Sequence, residues 1–239
     1  MNGEVRDAAT VIVAREAAGG LAVLMVRRGA GAAFLPDRYV FPGGAVDPID
    51  HALARTHLVG SPGAVEPAYV MTAARETFEE VGLLFSHRPV AGAAAAQARR
   101  ALLAGERTFG ALLDELDVKI DARLLRYFSR WITPKAEIAK RRFDARFFVA
   151  RCPADQIAEA DAVEVHDGRW FRPGAALAAY ERGEIGLIFP TIKHLERIAP
   201  FRGVDDLMEF AETKSIAAVM PNVSADAVFS FPDGLEDAW

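Results

Sequence analysis

Hydrophobic positions change period several times along this chain, and the changes outline a mixed α and β protein. Residues 10–14 and 21–27 are apolar, β-branched-rich runs on either side of the glycine-bearing stretch 16–20. Two such runs around a short turn predict a β-hairpin. Residues 38–41 predict a further strand that feeds Pro42-Gly43-Gly44. Residues 127–132, 143–150 and 163–171 also read as strands, the last with a turn at Asp167-Gly168. Elsewhere the period is helical. Val70, Met71, Ala74, Phe78 and Val81 share one side of a helix at about 100° per residue. Residues 90–125 are alanine-rich, with Leu102, Leu103, Phe109, Leu112, Leu113 and Leu116 at helical spacings, and predict two or more helices. Residues 174–181, 191–198 and 205–213 predict helices, and 220–239 an irregular tail.

The polar side of the helix around Phe78 carries Glu76, Glu79 and Glu80, neighbours at spacings of three and four. Clustered carboxylates repel one another, and a hard cation such as Mg²⁺, bound through oxygen, relieves that repulsion. Arg75 precedes Glu79 by one helical turn and can orient its carboxylate. By itself the pattern also describes a solvated acidic face. A second element changes the balance. Residues 39–47 form an apolar run ending in Pro42-Gly43-Gly44, where paired glycines let backbone groups approach a ligand closely. A glycine carbonyl and the helix carboxylates together make an oxygen-lined cation site.

These two elements resemble the signature of the Nudix hydrolases, G-x5-E-x7-R-E-U-x-E-E-x-G-U, where U is a bulky aliphatic residue. Arg75 to Leu83 matches its second half, with Thr77 at a U position, and Gly44 matches the leading glycine. The box is interrupted: Arg75 stands 31 positions after Gly44 rather than 14, so 17 residues are extra. Counting from Gly44 puts Asp50 at the first glutamate of the box; counting back from Arg75 falls one residue from Glu66. Phe34-Leu35-Pro36-Asp37, Trp131-Ile132-Thr133-Pro134 and Arg141-Arg142-Phe143-Asp144 resemble the interrupted-box branch of the family that includes a peroxisomal coenzyme A diphosphatase.

The resemblance implies an α/β fold, a Nudix-type α/β/α sandwich with a mixed β-sheet, as one domain over 1–239. It carries insertions at about 47–67 and 87–126 and a C-terminal extension from about 201. It implies Mg²⁺ or Mn²⁺ held by Gly44, Glu76, Glu79 and Glu80, with Arg75 and Glu79 as catalytic residues. The cation polarises a diphosphate and lowers the pKa of water. The general base is left open among Glu79, Glu137 and Glu164. The implied reaction cleaves the diphosphate of a nucleoside diphosphate derivative, with coenzyme A or acyl-coenzyme A leading. ADP-ribose, NADH and a non-catalytic nucleotide sensor are the alternatives. Arg27 with its neighbour Arg28, and the basic loop holding Lys135, Lys140, Arg141 and Arg142, are candidates for substrate phosphates, and Phe34 for the cleft wall. Solvated surface charge is the plain alternative for these arginines. His51 and His57, in the first insertion, read as surface histidines.

Composition narrows the class. A chain of 239 residues, 51% hydrophobic, supports one sizeable core. A formal charge of −5 without a long basic run argues against a nucleic-acid partner. The single cysteine, Cys152, makes no internal disulfide and fits a reducing cytoplasm. No apolar run approaches a membrane span, so no membrane partner is expected. The C-terminus lacks the Ser-Lys-Leu peroxisomal address. The inserted helices are expected either to cover the substrate or to form a homodimer contact.

Overall fold

The computed structural model describes residues 5–29, 36–135, 141–161, 165–224, 226–235 and 239. In chain order the elements begin with strands β1 (Val5–Ala17), β2 (Gly20–Arg28), β3 (Arg38–Val40) and β4 (Gly43–Ala45). Helix α1 (Pro48–His57), strand β5 (Leu58–Val59) and helix α2 (Pro67–Val81) follow. Next come α3 (Gly92–Leu103), α4 (Phe109–Glu115), β6 (Ile120–Asp121), β7 (Arg126–Ile132), β8 (Arg142–Arg151) and β9 (Val165–Phe171). The chain closes with α5 (Pro173–Glu181), β10 (Gly186–Leu187), α6 (Phe189–Ile198), α7 (Val204–Thr213), β11 (Ala218–Val219), β12 (Asn222–Val223) and β13 (Phe229–Ser230).

One mixed sheet organises these elements. Its order is β10-β3-β2-β1-β8-β7-β11, with β4 also pairing β1 and β9 pairing β2. The expected hairpin is present as the antiparallel β1–β2 pair. β1 runs parallel to β8 over ten residue pairs. Alternation along the strands divides the core, because successive side chains point to opposite faces. Val11, Val13, Leu24, Val26, Phe148 and Ala150 pack with Val70, Ala74 and Phe78 of α2 and with the inserted helices. Ile12, Ala14, Val23, Met25, Phe147 and Val149 pack with α5, α6 and α7. The sheet is therefore sandwiched between two helical layers, an α/β/α fold. Among the described residues no helix is long and apolar enough to cross a membrane.

The interruption between Gly44 and Arg75 holds a helix, α1. Asp47 caps that helix, accepting from Ile49 N, while the Asp50 carboxylate accepts from Asp47 N at 2.9 Å, and Pro48 opens the first turn. There is no turn at Asp167-Gly168; β9 runs straight through both, opposite Arg27 and Val26 of β2. The C-terminal segment is tied down rather than irregular throughout. β11 adds to the sheet beside Trp131, β12 pairs β13, and Trp239 is buried with its ring 5.1 Å from that of Trp131.

Candidate active site

Two structural devices hold the acidic helix in register. Pro67 starts α2 at a position where its missing N–H costs nothing. Gly82 ends it in the left-handed conformation, φ 77°, with its N–H donating to Phe78 O at 2.9 Å. The last carbonyls of a helix have no partners inside it. Here Arg99 of α3 supplies them, donating to Glu79 O at 3.0 Å and to Glu80 O at 2.7 Å. The inserted helices thus brace the end of α2 that carries the acids, and Phe109 of α4 packs its ring 5.8 Å from Phe78.

Arg75 is the hub. Its Nη1 donates to Glu76 Oε1 at 2.9 Å and to Glu79 Oε2 at 3.0 Å. Its Nε and Nη2 each donate to an Asp50 carboxylate oxygen at 2.8 Å. Asp50 is fully buried, and Thr72 Oγ1 lies 2.8 Å from its Oδ2. Burial alone would pull the Arg75 pKa down. The hydrogen bonds to Asp50 and the charges of Glu76, Asp50 and Glu79 more than offset this and hold the guanidinium protonated. Of the two acids that counting left open, it is Asp50 that meets Arg75. Glu66 instead pairs with His51 at the surface, at 3.1 Å. His57 pairs with Asp114 at 3.0 Å, also away from the acids.

The glycine turn meets the helix directly. Gly43 N donates to Glu80 Oε2 at 3.0 Å. A Cβ on Gly44 would lie 2.4 to 2.5 Å from the Glu76 carboxyl atoms, so only glycine lets that carboxylate sit against the backbone. The donor set is all oxygen, which suits a hard divalent cation. Among the described residues, however, no three acidic, histidine or cysteine side chains converge as a ready-made cage. Glu76 and Glu79 lean on Arg75 and Glu80 leans on Gly43. Gathering them around a cation needs carboxylate rotation about flexible side-chain bonds, with Arg75 retained by Asp50.

These residues line a cleft of about 1170 Å³ that also takes in Arg6, Arg28, Arg38 and Arg141. Leu102 and Leu103 of the inserted α3 form part of its wall. The expected anion contacts are redistributed. Strand alternation puts Arg28 in the cleft wall, while Arg27 is exposed and outside it. Arg141 lines the cleft, but Arg142 is buried with its Nε directed to Thr133 O at 3.2 Å and Pro134 O at 3.3 Å, so it ties the loop rather than facing a substrate. Arg6 and Arg38 were not singled out by sequence; lone arginines in strands carry no signal until the sheet is assembled. Phe34, Glu137, Lys140 and Glu164 lie outside the described residues.

Comparison with known proteins gives a consistent picture. The NUDT19 Nudix domain family matches residues 54–198. Acyl-coenzyme A diphosphatase NUDT19 of Gallus gallus is 25% identical, with 88% of this chain and 72% of that protein covered. Its Homo sapiens counterpart is 26% identical, and there the aligned region spans 80% of this chain but 64% of the human protein. The crystal structure of a NUDIX hydrolase from Alicyclobacillus acidocaldarius superposes with a TM-score of 0.75 at 31% identity, covering 87% of this chain and 96% of that one.

Proposed function

This chain belongs to the Nudix hydrolase family, and from that premise we propose that it cleaves the diphosphate of coenzyme A or an acyl-coenzyme A with the help of Mg²⁺ or Mn²⁺. The observation that carries the reading is the joining, in one cleft, of the carboxylates of α2, the Gly43-Gly44 turn and arginines from three strands and one loop. Diphosphate cleavage asks mainly for positioning and for neutralisation of charge. When bound, the cation neutralises the diphosphate and acidifies water.

The protein's own groups do the rest. Glu76, Glu80 and the Gly44 carbonyl would hold the cation. Glu79 orients the attacking water or takes up a further ion. Arg75, fixed by Asp50, sets the angle of Glu79. Arg28, Arg38 and Arg141 meet phosphate oxygens, for which the planar guanidinium is well shaped. Cys152 is half-buried, and burial pushes its thiol pKa up, which suits an unreactive cysteine in a reducing cytoplasm better than a nucleophile.

The test is a substrate panel: coenzyme A, acyl-coenzyme A, ADP-ribose and NADH, each with Mg²⁺ or Mn²⁺, with products resolved by mass spectrometry. Cleavage of a coenzyme A between its two 5′-linked phosphates is expected. Turnover confined to ADP-ribose or NADH would reassign the substrate, and nucleotide binding without turnover under every cation would favour a sensor.

A further inference from the structure

The backbone that carries two of the site's acids is held from outside its own helix. The last bond inside α2 runs from Gly82 N to Phe78 O. The carbonyls of Glu79, Glu80 and Val81 then have no donor left in the helix. Each is met by a neighbouring segment. Glu159 N donates to Val81 O at 3.1 Å. The other two share one side chain. Arg99 of α3 donates through Nε and Nη2 to Glu79 O, at 3.0 Å each, and through Nη2 to Glu80 O at 2.7 Å. The residues gripped in this way are the ones whose carboxylates meet Arg75 and Gly43 on the cleft side. Arg99 does more than fill space. It is buried, 8% exposed, and a buried charge needs opposing charge and hydrogen bonds. Asp161, Glu159 and Glu80 supply the charge, and Asp161 lines the same cleft as the acids. Gly82 leaves room for the stem, since a Cβ there would lie 3.1 Å from Arg99 Cδ. The residues of α3 buried along with Arg99 are Ala95 and Ala98, so the two helices could have packed on small apolar groups alone.

We propose that Arg99 is a positioning residue of the hydrolase: it fixes the backbone from which Glu79 and Glu80 project, so that the inserted helix α3 completes the cation site. The inference rests on the cation-dependent reading above and is independent of which diphosphate is cleaved. A guanidinium suits the task because its planar fork spans two acceptors, whereas an ammonium is a point charge on a flexible stem. Groups that orient metal ligands from behind set cation affinity and turnover nearly as firmly as the ligands do. The same helix walls the cleft with Leu102 and Leu103, one turn beyond Arg99. One inserted element therefore shapes the cleft and steadies the acids.

The experiment compares wild type with Arg99→Met, which keeps an apolar stem and removes the donors, and Arg99→Lys, which keeps the charge and loses the fork. Each is followed by melting temperature, by Mn²⁺ binding in electron paramagnetic resonance without substrate, and by kcat and KM at saturating Mn²⁺ on the best substrate of the panel. Arg99→Met is expected to bind Mn²⁺ about tenfold more weakly and to lose kcat by about tenfold or more, with KM within about twofold. Arg99→Lys should fall between the two. If Arg99→Met does not fold, Arg99→Lys carries the test, with the same split at smaller size. A folded Arg99→Met with wild-type Mn²⁺ affinity and kcat, a loss confined to melting temperature or KM, or, where it alone folds, an Arg99→Lys that matches wild type, reduces Arg99 to packing and overturns the proposal while leaving the hydrolase reading intact. A wild type that neither binds Mn²⁺ nor turns over any panel substrate removes the cation reading, and this inference with it.

Discussion

Asp50 grips Arg75 through two hydrogen bonds of 2.8 Å, one to each carboxylate oxygen, at a site where the acid is wholly buried. The pair joins α1, inside the interruption of the box, to α2, which carries the acids. Removing one member of a buried ion pair leaves the other uncompensated and costs about 3–5 kcal/mol. Asp50→Ala is therefore expected to lose stability on that order in urea unfolding. Its surviving folded fraction should also turn over more slowly, because Arg75 no longer fixes Glu79. Loss of neither would show that Arg75 is held by other contacts.

Neighbouring glycines at the turn make opposite predictions. A Cβ at Gly43 would meet backbone, Ala9 O at 2.3 Å and Thr10 Cα at 2.6 Å, and φ there is 154°. Gly43→Ala should destabilise the fold by about 2 kcal/mol or more. The three atoms nearest a Cβ at Gly44 all belong to the end of the Glu76 side chain, which can swing aside. Gly44→Ala should keep its melting temperature within a few degrees and lose activity at least about tenfold, since the displaced group is a proposed cation ligand. Differential scanning fluorimetry and initial rates on the two variants separate these outcomes.

His194 gives the molecule an acid sensitivity remote from the acids. It is fully buried among Phe147, Trp131 and Trp239. Nδ1–H donates to Pro190 O at 2.6 Å, since a carbonyl only accepts, and Nε2 accepts from Ser129 Oγ at 2.6 Å. Burial, with the charge of Lys214 adding to it, pushes its pKa down from 6.5 to about 3. Between those values the unfolded chain binds more protons than the folded one, so stability falls as the pH falls through that window. From pH 7 to pH 5 the expected loss is about 2 kcal/mol. Urea midpoints at the two pH values should show it, and His194→Gln should flatten this slope. An unchanged slope in the variant would assign the acid sensitivity to other groups.

Much of this was legible in the sequence where local rules and tertiary packing agree. The period of Val70, Met71, Ala74, Phe78 and Val81 placed α2, and all five are buried. Pro67 and Gly82, at its ends, are residue types that open and close helices. Asp47 and Asp50 spell a capping box, but Asp47-Pro48 also signals a turn, and α1 went unseen for that reason. Counting from Gly44 offered Asp50, but that Asp50 rather than Glu66 meets Arg75 depends on how the insertion folds back. Arg6 and Arg38 reach the cleft only through strand register. The anchoring of the C-terminal segment is likewise a tertiary matter: a lone terminal tryptophan gives no periodicity, yet Trp239 packs edge-on against Trp131.

The most direct measurement is the turnover of Glu80→Gln on coenzyme A with saturating Mg²⁺, alongside its melting temperature. Glu80 Oε2 accepts from Gly43 N, and an amide oxygen in its place can keep that bond while losing the charge a cation needs. The expected result is a melting curve close to wild type and a fall in kcat of about a hundredfold or more, several kcal/mol of lost charge stabilisation. A variant that stays folded and keeps near-wild-type turnover would contradict a cation-dependent diphosphate chemistry centred on this helix.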